Sequence, residues 1–332
     1  MIEGALRERS MKSWCGLALS IAMLAGAGSP ALAQDYPSKP IRILVGFAAG
    51  GGTDILAREV AAHLQKVWGK PVVVENRPGA NGNIATSEMV RSPPDGYTLL
   101  VTVPSLITNA FLDPNFKYKP LEDFAPVTVI GKAAYVITVT PSFPAKNLRE
   151  LIAMAKEKPG GINYGTAGLG SSPHLTGELF NAATGISMTA IPYRGASQVV
   201  TDVMTGQIPL SFFTTVQVLP LLKDGRLRGL AVTSPQRSKF VPDLPTASEA
   251  GAPGFESDAW WGMFAPGETP KPIVAKLQQE ISHILNTPEM KERLVVLGSE
   301  PGGDTPEQFA EAMKREYAEW EALFKKVKIK IE

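Results

Sequence analysis

The chain has 332 residues, 44% of them hydrophobic and 20% charged, with 33 basic against 32 acidic side chains. That composition excludes a disordered chain and supports a sizeable core, with length enough for about two domains. No lysine or arginine run stands out, which argues against nucleic acid or an anionic membrane surface as the main partner.

At the N-terminus, Lys12 is followed by the apolar run Trp14 to Ala27 and then by Ala31-Leu32-Ala33. These are the n-region, h-region and A-x-A site of a cleavable signal peptide, so residues 1–33 are expected to be removed before Gln34, and Met11 suffices as the start. The run is too short for a stable membrane span. Cys15, the single cysteine, leaves with it, and the mature chain carries 30 basic and 30 acidic side chains. Disulfides, thiol nucleophiles and cysteine-ligated metals are thereby excluded.

The mature chain opens with the apolar strand Ile41 to Val45, the turn Gly46 to Asp54 and an amphipathic pattern through Leu56, Val60, Leu64 and Val67. Three successive glycines allow close backbone approach, and Thr53 or Asp54 is placed to cap the helix. The exposed N–H groups and positive dipole end of such a helix suit a carboxylate or a phosphate. The unit repeats as strand Val72 to Val74, the turn Asn76 to Asn83 and a helix from Ile84 to Arg91, followed by the buried-type strand Tyr97 to Val103. This is α/β architecture.

Phe124 to Thr140 reads as continuous strand and is expected to carry the chain into a second domain. There the pattern returns: helix Asn147 to Glu157, strand Ile162 to Tyr164, the turn Gly165 to Ser172 and helix Pro173 to Thr184. Weaker repeats follow at Thr189 to Ile191 with the turn Tyr193 to Ser197, and at Leu210 to Phe213 with Thr214-Thr215. After strand Leu230 to Val232 comes a proline-rich loop with a short helix expected near Thr246 to Ala250. Ala259 to Phe264 reads as the return crossing. Three helices close the chain, starting at Pro270, at Pro288 and behind the Thr305-Pro306-Glu307-Gln308 capping box. The last carries Phe309, Met313, Tyr317, Trp320 and Phe324 on one stripe, a core face.

Enzymatic chemistry finds little support. Of three histidines, only His174 lies beside hydroxyls, Ser171 and Ser172, and that turn does not match G-x-S-x-G. No metal-ligand spacing occurs. The first glycine turn lacks both the G-x-G-x-x-G spacing and the P-loop lysine, so no nucleotide cofactor is indicated. What remains is a cleft of small residues, hydroxyls and amides at Thr53, Asn81, Ser105, Thr166, Ser171, Ser172, Ser197 and Thr214, suited to binding an anion without turnover. Arg194, between Tyr193 and Gly195, is placed to pair with a ligand carboxylate, to pair with Asp54 or to stay solvated. Asp54 itself is expected to accept N–H bonds at the helix start or to orient water and hydroxyls.

Tyr36 to Ile41, the turn Phe47 to Asp54, Glu75 to Ala80, Pro94 to Leu100, Tyr193-Arg194-Gly195, Ala231 to Ser234 and Phe264-Ala265-Pro266 together resemble the Bug-type (TctC-like) extracytoplasmic solute receptors. The likeness runs from Tyr36 to the C-terminus. It implies a two-lobe periplasmic binding protein-like fold of type II, each lobe a mainly parallel sheet flanked by helices, with crossing strands as hinge. The lobes would be 34–134 with 262–332, and 135–261. It further implies a periplasmic receptor that closes on a small carboxylate and delivers it to the membrane components of a tripartite tricarboxylate-type transporter; a monomer is expected, and a sensor protein in place of the transporter is the alternative partner.

The resemblance places the ligand carboxylate between the turns Phe47 to Asp54 and Thr166 to His174. The ligand-binding set expected is Phe47, Ala49, Gly50, Gly51, Gly52, Thr53, Asp54, Asn81, Ser105, Thr166, Gly170, Ser171, Ser172, His174, Tyr193, Arg194, Gly195, Phe213, Thr214 and Trp260. Family members commonly have an aspartate near the end of the strand that here reads Leu210 to Thr214. Its absence points to a carboxylate without an amino group, with an apolar or aromatic body against Phe47, Phe213 or Trp260. The competing enzymatic reading is a secreted serine hydrolase or transferase using Ser171 or Ser172 with His174.

Overall fold

The computed structural model describes residues 36–113 and 116–326. The signal-peptide assignment and Cys15 lie outside them. The chain begins with β1 (Ile41–Val45), α1 (Gly52–Trp68), β2 (Val72–Asn76), α2 (Asn83–Val90), β3 (Thr98–Thr102) and α3 (Ser105–Leu112). β1 runs parallel between β2 and β3, with Ile43 opposite both Val74 and Leu99. Covered on both faces, it shows an unbroken apolar run rather than alternation. Its one polar residue, Arg42, lies between Glu75 and Glu88, donating to them at 2.8 and 2.6 Å. Leu56, Val60 and Leu64 of α1 are fully buried, whereas Val67, expected on the same stripe, is 52% exposed in the last turn. Gly69 ends that helix in the left-handed conformation, where a Cβ would be strained.

β4 (Phe124–Val139) spans the molecule. Beyond it lie α4 (Leu148–Glu157), β5 (Asn163–Thr166), α5 (Ser172–Thr184), β6 (Thr189–Pro192), α6 (Ala196–Thr205), β7 (Leu210–Thr214), α7 (Thr215–Lys223) and β8 (Arg228–Val232). β9 (Asp258–Pro266), α8 (Lys271–Asn286), α9 (Pro288–Leu297), β10 (Glu300–Pro301) and α10 (Pro306–Lys326) complete the described chain. The sheet order is β2-β1-β3-β9-β4-β7-β5-β6, with β8 and β10 also on β4. β4 changes partners in mid-course: Ala134 lies opposite Asp258 of β9, and the next residue, Tyr135, lies opposite Thr214 of β7. The returning chain is tied in at the same level, since Thr233 donates its N–H to Tyr135 O at 2.9 Å and Ser257 to Thr233 O at 2.9 Å.

Each half of the sheet has its own core. Leu44, Met89, Leu100, Phe264, Phe309 and Met313 belong to one, and Val136, Val199, Val203, Phe213, Val218 and Val232 to the other. The α10 stripe is a core face as expected, with Phe324 stacked on Phe111 at a centroid distance of 5.4 Å. The capping box is present: Gln308 Oε1 accepts from Thr305 N and Thr305 Oγ1 from Gln308 N.

Two expectations need correction. Thr246 to Ala250 is a single turn closed by Ala250 N to Thr246 O, because Gly251 turns left-handed immediately after it. Conversely, α3 and α7 are helices where the sequence reading assigns none. α3 starts on Pro104 without a side-chain cap, so its start signal is missing; α7 does open on a capping box, Thr214 with Gln217, but Pro220 in its interior breaks the helical pattern that would have extended it. Among the described residues no helix is long and apolar enough to cross a membrane.

Candidate functional site

The turn after β1 is held from below by Asp54. Its carboxylate accepts from Gly50 N at 2.9 Å, Arg58 Nε at 2.9 Å and Asn76 Nδ2 at 3.0 Å, and Asn76 also donates to Phe47 O. Burial works to raise its pKa, but the bonds from Arg58, Gly50 and Asn76 outweigh it and hold the carboxyl below its ordinary value. The N-cap of α1 is Gly51, so neither Thr53 nor Asp54 caps the helix; Asp54, in the first turn, reaches back to the preceding loop. With Arg58 and Asn76 already on Asp54, the Arg194–Asp54 pair does not form, and Arg194 is exposed. Of the glycines in this turn, only Gly50 has a positive φ. Gly46 serves close approach instead, since a Cβ there would lie 2.5 Å from Gly82 Cα.

Above the turn lies a cavity of about 60 Å³, roughly the share of two liquid waters. The first-turn ends of four helices reach it: Gly51 and Gly52 of α1, Ser171 and Ser172 of α5, Ala196 of α6 and the Thr214 N-cap of α7. Among the described residues no charged side chain lines it. Thr53 also lines it, with its hydroxyl accepting from Trp261 Nε1 at 3.2 Å. Thr214 is anchored by Gln217, whose Oε1 accepts from both its N–H and its hydroxyl. The hydroxyls of Ser171 and Ser172 are buried without a hydrogen-bond partner in good geometry, and Ser172 lies near the Tyr135 phenol. Burial drives that phenol well above its ordinary pKa, so it is a neutral donor. Unpaired hydroxyls and helix N-termini around an uncharged hollow are the groups that an anion-binding seat would require.

Of the expected set, Phe47, Gly51, Gly52, Thr53, Ser171, Ser172 and Thr214 line this cavity. The others do not. Ala49 and Gly50 form the exposed tip of the turn. Thr166 is buried and bonds Gly168 O, and Tyr193 donates to Asp202 at 2.7 Å. Gly195 packs where a Cβ would lie 2.8 Å from Ala48 Cβ. Asn81 pairs with Asn109, beside Gly170, leaving its own buried Oδ1 unpaired, as is Ser105 Oγ. Phe213 belongs to the core. Trp260 faces away, donating to Glu316 at 2.8 Å; its neighbour Trp261 is the indole at the cavity. Tyr135, Ala48, Val103 and Gln217 are further lining residues outside the expected ligand-binding set.

His174 does not serve either serine. Its Nδ1 accepts from Gly170 N at 2.9 Å, and burial, only partly opposed by Glu178, lowers its pKa and keeps the ring neutral. It braces the Gly170 turn, and no hydrogen bond between it and Ser171 or Ser172 is present. The nucleophile–base contact of a serine hydrolase is therefore not assembled.

The family model of the tripartite tricarboxylate transporter family receptor matches residues 56–329. The chain belongs to that family. Protein BugT of Bordetella pertussis is 36% identical over 309 residues, covering 92% of this chain and 95% of that protein. An R. palustris protein solved with adipate superposes with a TM-score of 0.84 at 37% identity, covering 88% of this chain and 98% of that one. MatC from Rhodopseudomonas palustris, solved with bound malate, gives 0.81 at 32% identity over 86% and 99%. This receptor is accordingly a two-lobe periplasmic binding protein of the TctC type and not an enzyme, and the hydrolase alternative finds no support.

Proposed function

We propose that this receptor captures a small carboxylate in the periplasm and hands it to the membrane components of a tripartite tricarboxylate-type transporter. The observation that carries the reading is the convergence of four helix N-termini on one small uncharged cavity. Helix dipoles and first-turn N–H groups favour an anionic head group, and the cavity holds about one such group. Relatives solved with adipate and with malate support the ligand class. We infer that residues 34–134 with 262–332 move as one lobe and 135–261 as the other. The change of partners at Ala134 and Tyr135 then forms part of the hinge. Export by the cleavable segment 1–33 and action as a monomer complete the proposal.

A thermal-shift panel of adipate, malate, aromatic carboxylates and amino acids tests it. Carboxylates should raise the melting temperature in a concentration-dependent way, because a ligand of the native state stabilises by mass action. Stabilisation by amino acids alone would overturn the expectation of a ligand without an amino group, and no response to any anion would overturn the seat.

A further inference from the structure

A second and larger hollow lies beside the seat. Its volume is about 630 Å³, and it runs between α5 on one side and α10 on the other. The two hollows share only Tyr135 and Ser172 as walls. Their linings differ in kind. Among the described residues the seat has no charged side chain, whereas the groove is lined by Glu256, Asp258, Glu316 and Glu319 against the single cation Arg315.

Trp260 and Trp320 add two indoles, and both turn their N–H toward one carboxylate: Trp260 Nε1 to Glu316 Oε2 at 2.8 Å and Trp320 Nε1 to Glu316 Oε1 at 3.2 Å. These bonds satisfy the acceptors of Glu316 without neutralising its charge. Burial pushes its carboxyl above the ordinary range despite them, with Glu319 adding to the effect. Asp258 reaches solvent on one side, but crowding on the other, followed by the Glu256 and Glu300 carboxylates, raises it to about 6 against the pull of Lys132. A further polar group in the groove lacks a protein partner and is open to a ligand with an N–H or O–H. Thr108 of α3, fully buried, lines the groove with its hydroxyl unpaired.

We propose that this groove binds an organic cation, a primary or quaternary ammonium on a small carbon body, with Asp258, Glu316 and Glu319 supplying charge and Trp260 and Trp320 the aromatic faces. Its volume is that of an ordinary small-molecule site. Indole faces beside carboxylates attract ammonium groups by cation–π and Coulomb terms together. A solvated acidic helix face would not need Glu316 turned inward. The groove and the seat are distinct hollows that share two walls, so binding of an ammonium compound in the groove does not require a carboxylate in the seat.

The test titrates the full chain with choline chloride and benzyltrimethylammonium chloride at fixed ionic strength, following tryptophan fluorescence and heat. The neutral isostere 3,3-dimethyl-1-butanol is the control. Saturable binding of the ammonium compounds, weakened about tenfold or more in the Asp258→Asn, Glu319→Gln double variant, is expected. Both positions are exposed, so an unchanged melting temperature confirms that the variant folds. Equal binding of the neutral isostere, unchanged choline affinity in the double variant or the absence of saturation would overturn the proposal.

The source of the cation is read from trimethylammonium carboxylates of increasing spacer length. Binding tenfold tighter than choline identifies the far end of a ligand whose carboxylate occupies the seat. Choline affinity that is the same with and without saturating adipate identifies a separate ligand.

Discussion

Replacing Gly195 by alanine should weaken ligand binding by obstructing closure of the two lobes. Gly195 is the N-cap of α6 and has an extended backbone, φ −179°, which any residue adopts, so the substitution introduces no backbone strain. The obstacle is steric. The new Cβ would lie 2.8 Å from Ala48 Cβ at the tip of the β1–α1 turn, and a methyl on a short loop has no rotamer to escape into. Overpacking of this size costs about 1–3 kcal/mol. If the contact exists only in the closed receptor, that cost falls on the closed state alone and raises Kd by about 5- to 150-fold. Alanine is also a poorer N-cap than glycine, which removes up to about 1 kcal/mol from the unliganded protein as well.

The two effects separate in a double-mutant cycle. Calorimetry with a carboxylate that raises the melting temperature of the unmodified protein should show Ala48→Gly restoring affinity to Gly195→Ala, while the small loss in unliganded melting temperature persists. Unchanged affinity in Gly195→Ala, or a loss that Ala48→Gly does not rescue, would refute the closure argument.

Three further outcomes follow from the geometry around the seat. Asp54→Asn should destabilise the protein by about 1–2 kcal/mol at pH 7, discounted because Arg58 is half exposed. Since the folded carboxyl titrates below its ordinary value, that stabilisation is complete above the ordinary aspartate pKa of about 3.9 and is lost as pH falls through the folded value. Urea unfolding at stepped pH should therefore show the variant's deficit shrinking below about pH 4. Gly52→Ala, whose Cβ would meet Trp261 at 3.0 Å, should reduce ligand affinity more than Gly51→Ala, whose nearest contact is 3.6 Å from Ala48 O; parallel calorimetric titrations decide it. Trp261→Phe deprives the buried Thr53 hydroxyl of its donor and should lower stability by about 1–3 kcal/mol in denaturant melts.

Much of this architecture is legible in the sequence because it rests on local rules. Glycine turns after apolar strands, the Thr305 capping box and the α10 stripe each follow from spacing of a few residues, and each appears where expected. Asp54 is legible too, since an acid in a first helical turn near a glycine loop has N–H groups in reach. Arg194 is not, because its possible partner Asp54 is taken by Arg58 one helical turn away and by Asn76 at the end of the neighbouring strand. The competition that leaves Arg194 exposed is decided by tertiary packing.

The two adjacent tryptophans mark the limit most clearly. Alternation along a strand sends Trp260 and Trp261 to opposite faces, but Ala259 to Phe264 is apolar throughout and carries no phase. Register supplies it: Gly131 opposite Trp261 and Lys132 opposite Trp260 set the pleat, and Phe309 packing over Gly262 and Trp260 fixes which face meets α10. Trp261 is thereby turned to Thr53 and the anion seat, and Trp260 to Glu316 and the acidic groove. A one-residue slip would exchange them. The chemical difference between the two hollows thus depends on the pairing of β4 with β9, the same pairing that ends at Ala134, where β4 changes partner to β7.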